Sequence, residues 1–194
     1  MTTHIRKLRL AVFASSMSVI VIVCCGLYVR RNVHVSPPAS YRQIGWHDLV
    51  PKDWDQFKRL REFNGGGLRD GDPRAQRLLA DMRAAWDSAP TIESLDGTAV
   101  QVVGYVVPLE GDVRGLTELL LVPYEGACIH TPPPPANQII HVLLAQPVKG
   151  LRMMDNVRVR GIINAHREAT FRAVSGYDVS NAAAEEYRPA AGSR

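Results

Sequence analysis

Four consecutive prolines, Pro132 to Pro135, constrain this chain more than any other feature. Proline lacks a backbone N–H and holds φ near −65°, so the run removes four donors from any ladder and favours an extended polyproline II arm. No central strand can pass through it. Whatever sheet the chain forms must be interrupted there, with the run crossing the surface or spanning the mouth of a barrel.

The prolines sit inside the stretch GACIHTPPPPANQ, Gly126 to Gln138. Cys128 is the only cysteine outside the hydrophobic N-terminus, and His130 follows two positions later. Residues two apart in extended backbone point the same way, so a thiolate and an imidazole could share one ion. These are the side chains suited to a soft or borderline metal such as zinc. Zinc usually takes three or four protein ligands, and this segment offers two, which leaves Glu125, His141 and His166 as further candidates. The plainer alternative is a buried thiol beside a hydrogen-bonded imidazole. A stiffened arm has already spent much of its ordering entropy, which suits docking. Asn137 and Gln138 carry amides that could cap the arm or bond a bound group. Cys128 and His130 are therefore the candidate metal ligands. Pro132, Pro133, Pro134, Pro135, Asn137 and Gln138 are the candidate partner-binding residues.

Around this segment the hydrophobic period changes. Asp53 with Gln56 resembles a capping box, and Trp54, Phe57 and Leu60 recur at helical spacing until Asn64-Gly65-Gly66-Gly67 ends the pattern. A second helix is predicted from Asp72 as cap and Pro73 at the first helical position, with Ala75, Leu79, Met82 and Trp86 as its apolar stripe. From Leu95 onward the period is two. Strands are predicted through Val100, Val102 and Val106, over Thr117–Tyr124, Gln138–Ala145 and Asn156–Ile163, and over Phe171–Val179. Gly104 and Gly161 fall inside two of them, where glycine permits tight bending. The expected fold is mainly β: a small OB-like five-stranded β-barrel preceded by two short helices and an N-terminal transmembrane helix. A two-layer β sandwich competes with it. The expected layout is a signal anchor over 1–31, a tether over 32–40, a helical preamble over 41–94, the β domain over 95–187 and a disordered tail over 188–194.

The net charge of +4 misleads. Arg6, Lys7, Arg9, Arg30 and Arg31 lie in the first 31 residues, which hold no acid; everything downstream carries 18 basic and 19 acidic residues, a net of −1. Leu10 to Val29 is a run of 20 uncharged residues, long enough as a helix to cross a hydrocarbon core. Basic residues precede it and no small-x-small cleavage pattern closes it, so an uncleaved inner-membrane anchor with the C-terminal domain in the periplasm is expected. Secretion to the periplasm after leader cleavage is the alternative. In an oxidising compartment Cys128 would have no disulfide partner, since Cys24 and Cys25 fall in the membrane run.

Two function classes are set aside on composition. Lys149, Arg152, Arg158, Arg160, Arg167 and Arg172 concentrate positive charge, yet stacking aromatics are sparse there, so no nucleic-acid partner is expected. A thiol-dependent enzyme needs a base recruited from elsewhere or a resolving cysteine, and neither is visible. A non-catalytic protein is expected, with the thiol enzyme as the remaining alternative.

The runs LDGTAVQVVGYVVPLE and ELLLVPYEGACIHTPPPPANQIIHV resemble a bacterial envelope family of unknown function. Its members carry a signal or lipoprotein leader, a tryptophan-containing preamble and this cysteine–histidine–proline core. The resemblance spans about residues 41 to 187 and is densest from Leu95 to Val142. Relatives often stand beside MacB-type ABC transporter components, some linked to zinc supply. That implies an accessory role in envelope transport or zinc homeostasis, with an inner-membrane transporter component as partner. By position, Cys128, His130, Pro132 to Pro135, Asn137 and Gln138 match the core. The leader has no lipobox, and His141 stands where an aromatic residue is more usual.

Overall fold

The computed structural model describes residues 38, 40–58, 71–127 and 133–188. The fold below is that of the unit Ala39–Arg194. The expected membrane anchor over 10–29 and the tail from 189 lie outside the described residues, as do Cys128, His130 and Pro132. Among the described residues no helix is long and apolar enough to cross a membrane.

The period-two region forms a closed barrel. Its strands are β2 (Thr98–Asp112), β3 (Gly115–Val122), β4 (Ile140–Val148), β5 (Asn156–Asn164) and β8 (Tyr177–Glu186). A two-residue strand β1 (Arg42–Gln43) lies parallel to β2 at its edge, and β6 (Glu168–Ala169) pairs with β7 (Val174–Ser175) in a small hairpin. Around the barrel the order is β2-β3-β4-β8-β5, and β5 pairs back with β2. All neighbours are antiparallel except β4 and β8, which run parallel from Ile140↔Tyr177. This is the OB-like barrel expected, and the β2–β5 pairing excludes the open two-layer sandwich.

Closure depends on the 15-residue strand β2 serving two neighbours. Thr98 to Tyr105 pairs with β5, whereas Tyr105 to Asp112 pairs with β3. Gly104 sits at the changeover. A Cβ built there would lie 2.7 Å from Trp46 Cζ2, 2.8 Å from the Val122 carbonyl oxygen and 2.9 Å from Leu121 Cγ. The Trp46 indole Nε1–H donates to the Val103 carbonyl at 2.8 Å, so the ring occupies the space that the missing side chain leaves at the bend.

Alternation places one face of each strand inside. Val100, Val102, Leu119, Leu121, Ile140, Val142, Val157, Val159, Tyr177 and Val179 fill the barrel, closed by Ile44, Leu49 and Leu95. Burying side chains of this size is worth about 1.5–3 kcal/mol each, which is what holds so small a barrel together. A second, smaller cluster (Val107, Leu120, Val122, Ala127 and Ile139) lies on the outer face of β2, β3 and β4.

Three expectations are revised. The fifth strand is Tyr177–Glu186 rather than Phe171–Val179. Phe171 is exposed in a turn where Thr170 Oγ1 accepts from the Ala173 backbone N–H at 3.1 Å, which prevents extension there. The predicted first helix, from its cap at Asp53 to the stop at Asn64-Gly65-Gly66-Gly67, lies outside the described residues from 59 onward. Over the part that is described, Trp54 N–H bonds the Pro51 carbonyl, and Asp55 rather than Asp53 accepts from Phe57 N–H at 3.0 Å. The second helix, α1 (Pro73–Asp87), begins as predicted, with Asp72 accepting from Arg74 N–H. Its inward positions are Ala75, Leu78, Met82 and Trp86, however, and Leu79 is 65% exposed.

Candidate functional site

The proline segment is built as two layers. Pro135 has φ −55° and ψ 148°, the polyproline II conformation, and leads into a tight turn over Ala136–Gln138. Gln138 N–H donates to the Pro135 carbonyl at 2.7 Å and Ile139 N–H to the Ala136 carbonyl at 3.1 Å. Pro134, Pro135, Ala136 and Asn137 are buried, while Pro133 and Gln138 reach the surface. The segment thus shows solvent only its first described proline and its last amide.

Asn137 faces inward. Its side chain is fully buried, and its Nδ2–H donates to the Pro90 carbonyl at 3.0 Å. Its Oδ1 has no hydrogen-bond partner among the described residues. That amide is one of several side chains stitching residues 87–92 to the barrel. Arg167 donates from Nη1 to the Asp87 carbonyl and from Nη2 to the Ala89 carbonyl at 2.8 Å, satisfying acceptors that the end of α1 leaves free. Tyr177 Oη accepts from Ile92 N–H at 2.6 Å and donates to the Leu49 carbonyl at 2.9 Å. Burial pushes the Tyr177 phenol above its ordinary value, partly offset by the bond from Ile92. These contacts hold α1 and the turns before it beside Pro133–Gln138.

The result is a strip of apolar surface. Phe57, Trp86, Tyr124 and Pro133 to Pro135, with Gln56 and Gln138, line a groove of about 210 Å³. Phe57 and Tyr124 are 43% and 45% exposed, which is high for aromatic rings. Trp86 Nε1–H is already committed to the Gln56 carbonyl at 2.9 Å, so Trp86 offers the groove a ring face rather than a donor. On one side the groove meets a depression of about 470 Å³ along α1, sharing Trp86 and Pro133. On the other it meets a cleft of about 790 Å³, sharing Gln56, Phe57 and Gln138.

The metal candidates fare differently. Cys128 and His130 lie outside the described residues, but both flanks are fixed: Ala127 is buried in the outer cluster, and Pro133 stands at the groove. His141 lies buried on the outer face of β4, opposite Leu120, with Nε2 2.6 Å from Glu118 Oε1. His166 is paired at 3.5 Å with Glu168. Among the described residues no group of three or more His, Cys, Asp or Glu side chains is placed to hold a metal ion. Of the basic cluster, Arg158 and Arg160 both bond Glu185 at 2.9 Å, so much of its charge is internally answered. Sequence reasoning missed Tyr177 and Arg167 as organisers of the site, because each bonds backbone about 80 residues or more away.

A closed five-stranded barrel carrying a helical flank and an aromatic–proline strip defines an OB-like module with an apolar strip at its surface. The chain belongs to the DUF3299 family of proteins of unknown function, whose family model matches residues 46–186. It is similar to a crystal structure of a DUF3299 family protein from Pseudomonas aeruginosa, at 32% identity and a TM-score of 0.57, over 77% of this chain and 99% of that one. No curated protein matches the chain.

Proposed function

We propose that this is a non-catalytic accessory protein of the bacterial envelope, tethered through its N-terminal segment, that docks a membrane partner on the strip around Pro133 to Gln138. An inner-membrane ABC transporter component of the MacB type is the partner class that the family resemblance implies. The observation carrying the reading is the apolar groove in which exposed Phe57 and Tyr124 join half-buried Trp86 and Pro133, built on prearranged backbone. Such patches rimmed by polar groups mark interaction sites, and rigid backbone lowers the ordering cost of binding. A photo-crosslinking residue at Tyr124 in the full chain should capture a discrete membrane-protein adduct in cells. The same residue at Val113, which is 98% exposed in the far β2–β3 turn, should not. Equal capture from both positions would reject the reading.

A second reading has zinc bound by Cys128 and His130, for transfer to or sensing by the same transporter. It is favoured by their i, i+2 spacing between two anchored flanks. A two-ligand site releases its ion readily and lets a partner complete the shell. Zinc titration of the reduced full chain beside a Cys128→Ser, His130→Ala double variant tests it. Equal weak uptake by both would remove it.

A further inference from the structure

Two exposed features of the described residues lie outside the barrel's own packing. The first is a knob. Phe171 is 74% exposed at the tip of the β6–β7 hairpin, held out by a stiff turn. Thr170 Oγ1 accepts from the Arg172 N–H at 3.2 Å and the Ala173 N–H at 3.1 Å, and donates to the Ala173 carbonyl at 2.9 Å. The Arg172 guanidinium lies 5.1 Å from the ring centroid, so an apolar ring and a cation are presented together. The second is a socket. The depression of about 470 Å³ along α1 is walled by Leu79, Met82, Trp86 and Pro133, and Arg83 and Asp87 also line it. Leu79 is 65% exposed there, and neither Arg83 nor Asp87 has an ion-pair partner among the described residues.

Knob and socket are complementary in chemistry. A phenyl ring among leucine, methionine and tryptophan gains ring–ring and sulfur–ring contacts. The hairpin carries one acid and one arginine about its ring, Glu168 and Arg172, and the socket carries one arginine and one acid, so each charge has an opposite to meet. In one molecule the two stand apart, since Phe171 and Leu79 are both open to solvent. They are also neighbours: Arg167, at the root of the hairpin, donates to the Asp87 and Ala89 carbonyls at the end of α1. Adjacent, complementary features on one surface are what a two-fold axis between copies joins, knob to socket twice over. A lipid surface would take up Phe171 and leave the socket open, whereas a second copy answers both at once.

We propose that the chain pairs with a second copy of itself by this exchange. Phe171 of each copy seats among Leu79, Met82, Trp86 and Pro133 of the other, with Arg172 facing Asp87 and Glu168 facing Arg83. The pairing goes beyond the docking reading and does not need it, since Tyr124 lines the proline groove and not this socket.

The test crosslinks the full chain in cells that carry two versions of it with different affinity tags. A photoreactive phenylalanine analogue in place of Phe171 should give, on irradiation, an adduct that holds both tags, with the joined peptide inside α1. The same analogue at Val113, on the far β2–β3 turn, should not. Leu79→Glu and Asp87→Arg should each cut the yield about tenfold, and adding Arg172→Asp to Asp87→Arg should restore it. Both single variants should keep the wild-type urea midpoint, measured alongside; Leu79 is exposed, and a cation at the end of a helix is well placed. Absence of the two-tag adduct would overturn the proposal; it is the result if residues 59–70 of the same chain, another protein or lipid fills the socket. So would a yield indifferent to Leu79→Glu, the mark of association through the N-terminal segment alone, or a charge exchange that restores nothing. The Tyr124 crosslink to a membrane partner is read separately, and its failure leaves this result standing.

Discussion

The Tyr177 phenol bonds the Leu49 carbonyl at 2.9 Å across 128 residues of sequence, and the same oxygen accepts from Ile92 N–H at 2.6 Å. One buried hydroxyl on the fifth barrel strand therefore fixes both stretches of chain that wall the cleft, since Val50 and Ile92 line it. Tyr177→Phe keeps the ring and strips both bonds, leaving a buried carbonyl and a buried N–H unanswered. The expected loss is about 2–4 kcal/mol of unfolding free energy, read from urea denaturation with an unchanged slope. A loss below about 0.5 kcal/mol would show that the clamp is not used.

The same group gives an alkaline signature. Burial raises the Tyr177 pKa in the folded state above its ordinary value near 10. The unfolded chain then releases this proton at a lower pH than the folded one. Its contribution is full below pH ~10 and falls as pH rises through the folded value. The stability gap between wild type and Tyr177→Phe should narrow over that window. Spectrophotometric titration should show one of the 6 tyrosines ionising late in folded protein and normally in denaturant. Uniform ionisation in both would contradict the assignment.

Gly104→Ala tests the bend in β2. The new methyl would meet the Val122 carbonyl oxygen at 2.8 Å and Trp46 Cζ2 at 2.7 Å, and the backbone oxygen cannot step aside as a flexible side chain could. A cost of about 1–3 kcal/mol is expected. It should come with a shift in tryptophan emission as Trp46 is pushed off the strand. Wild-type stability and emission would mean the close approach is relaxed in solution.

Asn137→Ala and Arg167→Ala probe the stitching of residues 87–92. Each removes donors to backbone carbonyls, Pro90 in one case and Asp87 with Ala89 in the other. Each should cost about 1–2 kcal/mol. Both should raise amide hydrogen exchange in α1 while leaving β5 protected. Arg167→Lys should recover only part of the loss, because one ammonium does not reproduce the guanidinium fork on two carbonyls. Protection lost equally in helix and barrel would show that the two unfold as one.

The barrel is legible where burial alternates along a strand, as in the letters Val157-Arg158-Val159-Arg160 of β5. The fifth strand was displaced because the outer half of β8 is Ala182-Ala183-Ala184, whose small residues carry little contrast between faces. In α1 the adjacent Leu78 and Leu79 both fit a helical stripe within one turn, so only packing decides which turns inward. The proline run marked the surface strip, as its chemistry requires, yet the aromatic half came from Phe57, Trp86 and Tyr124, brought together by backbone contacts that no spacing encodes. Asn137 looked like an amide offered outward; its Pro90 bond places it in the interior.

Because β8 carries the hydroxyl that secures Leu49 and Ile92, a tug on anything seated in the cleft is passed straight into a strand flanked by two neighbours along its length. Two walls of that cleft are therefore moored to the cylinder at single points, Leu49 and Ile92, so whatever loosens Tyr177 slackens both at once.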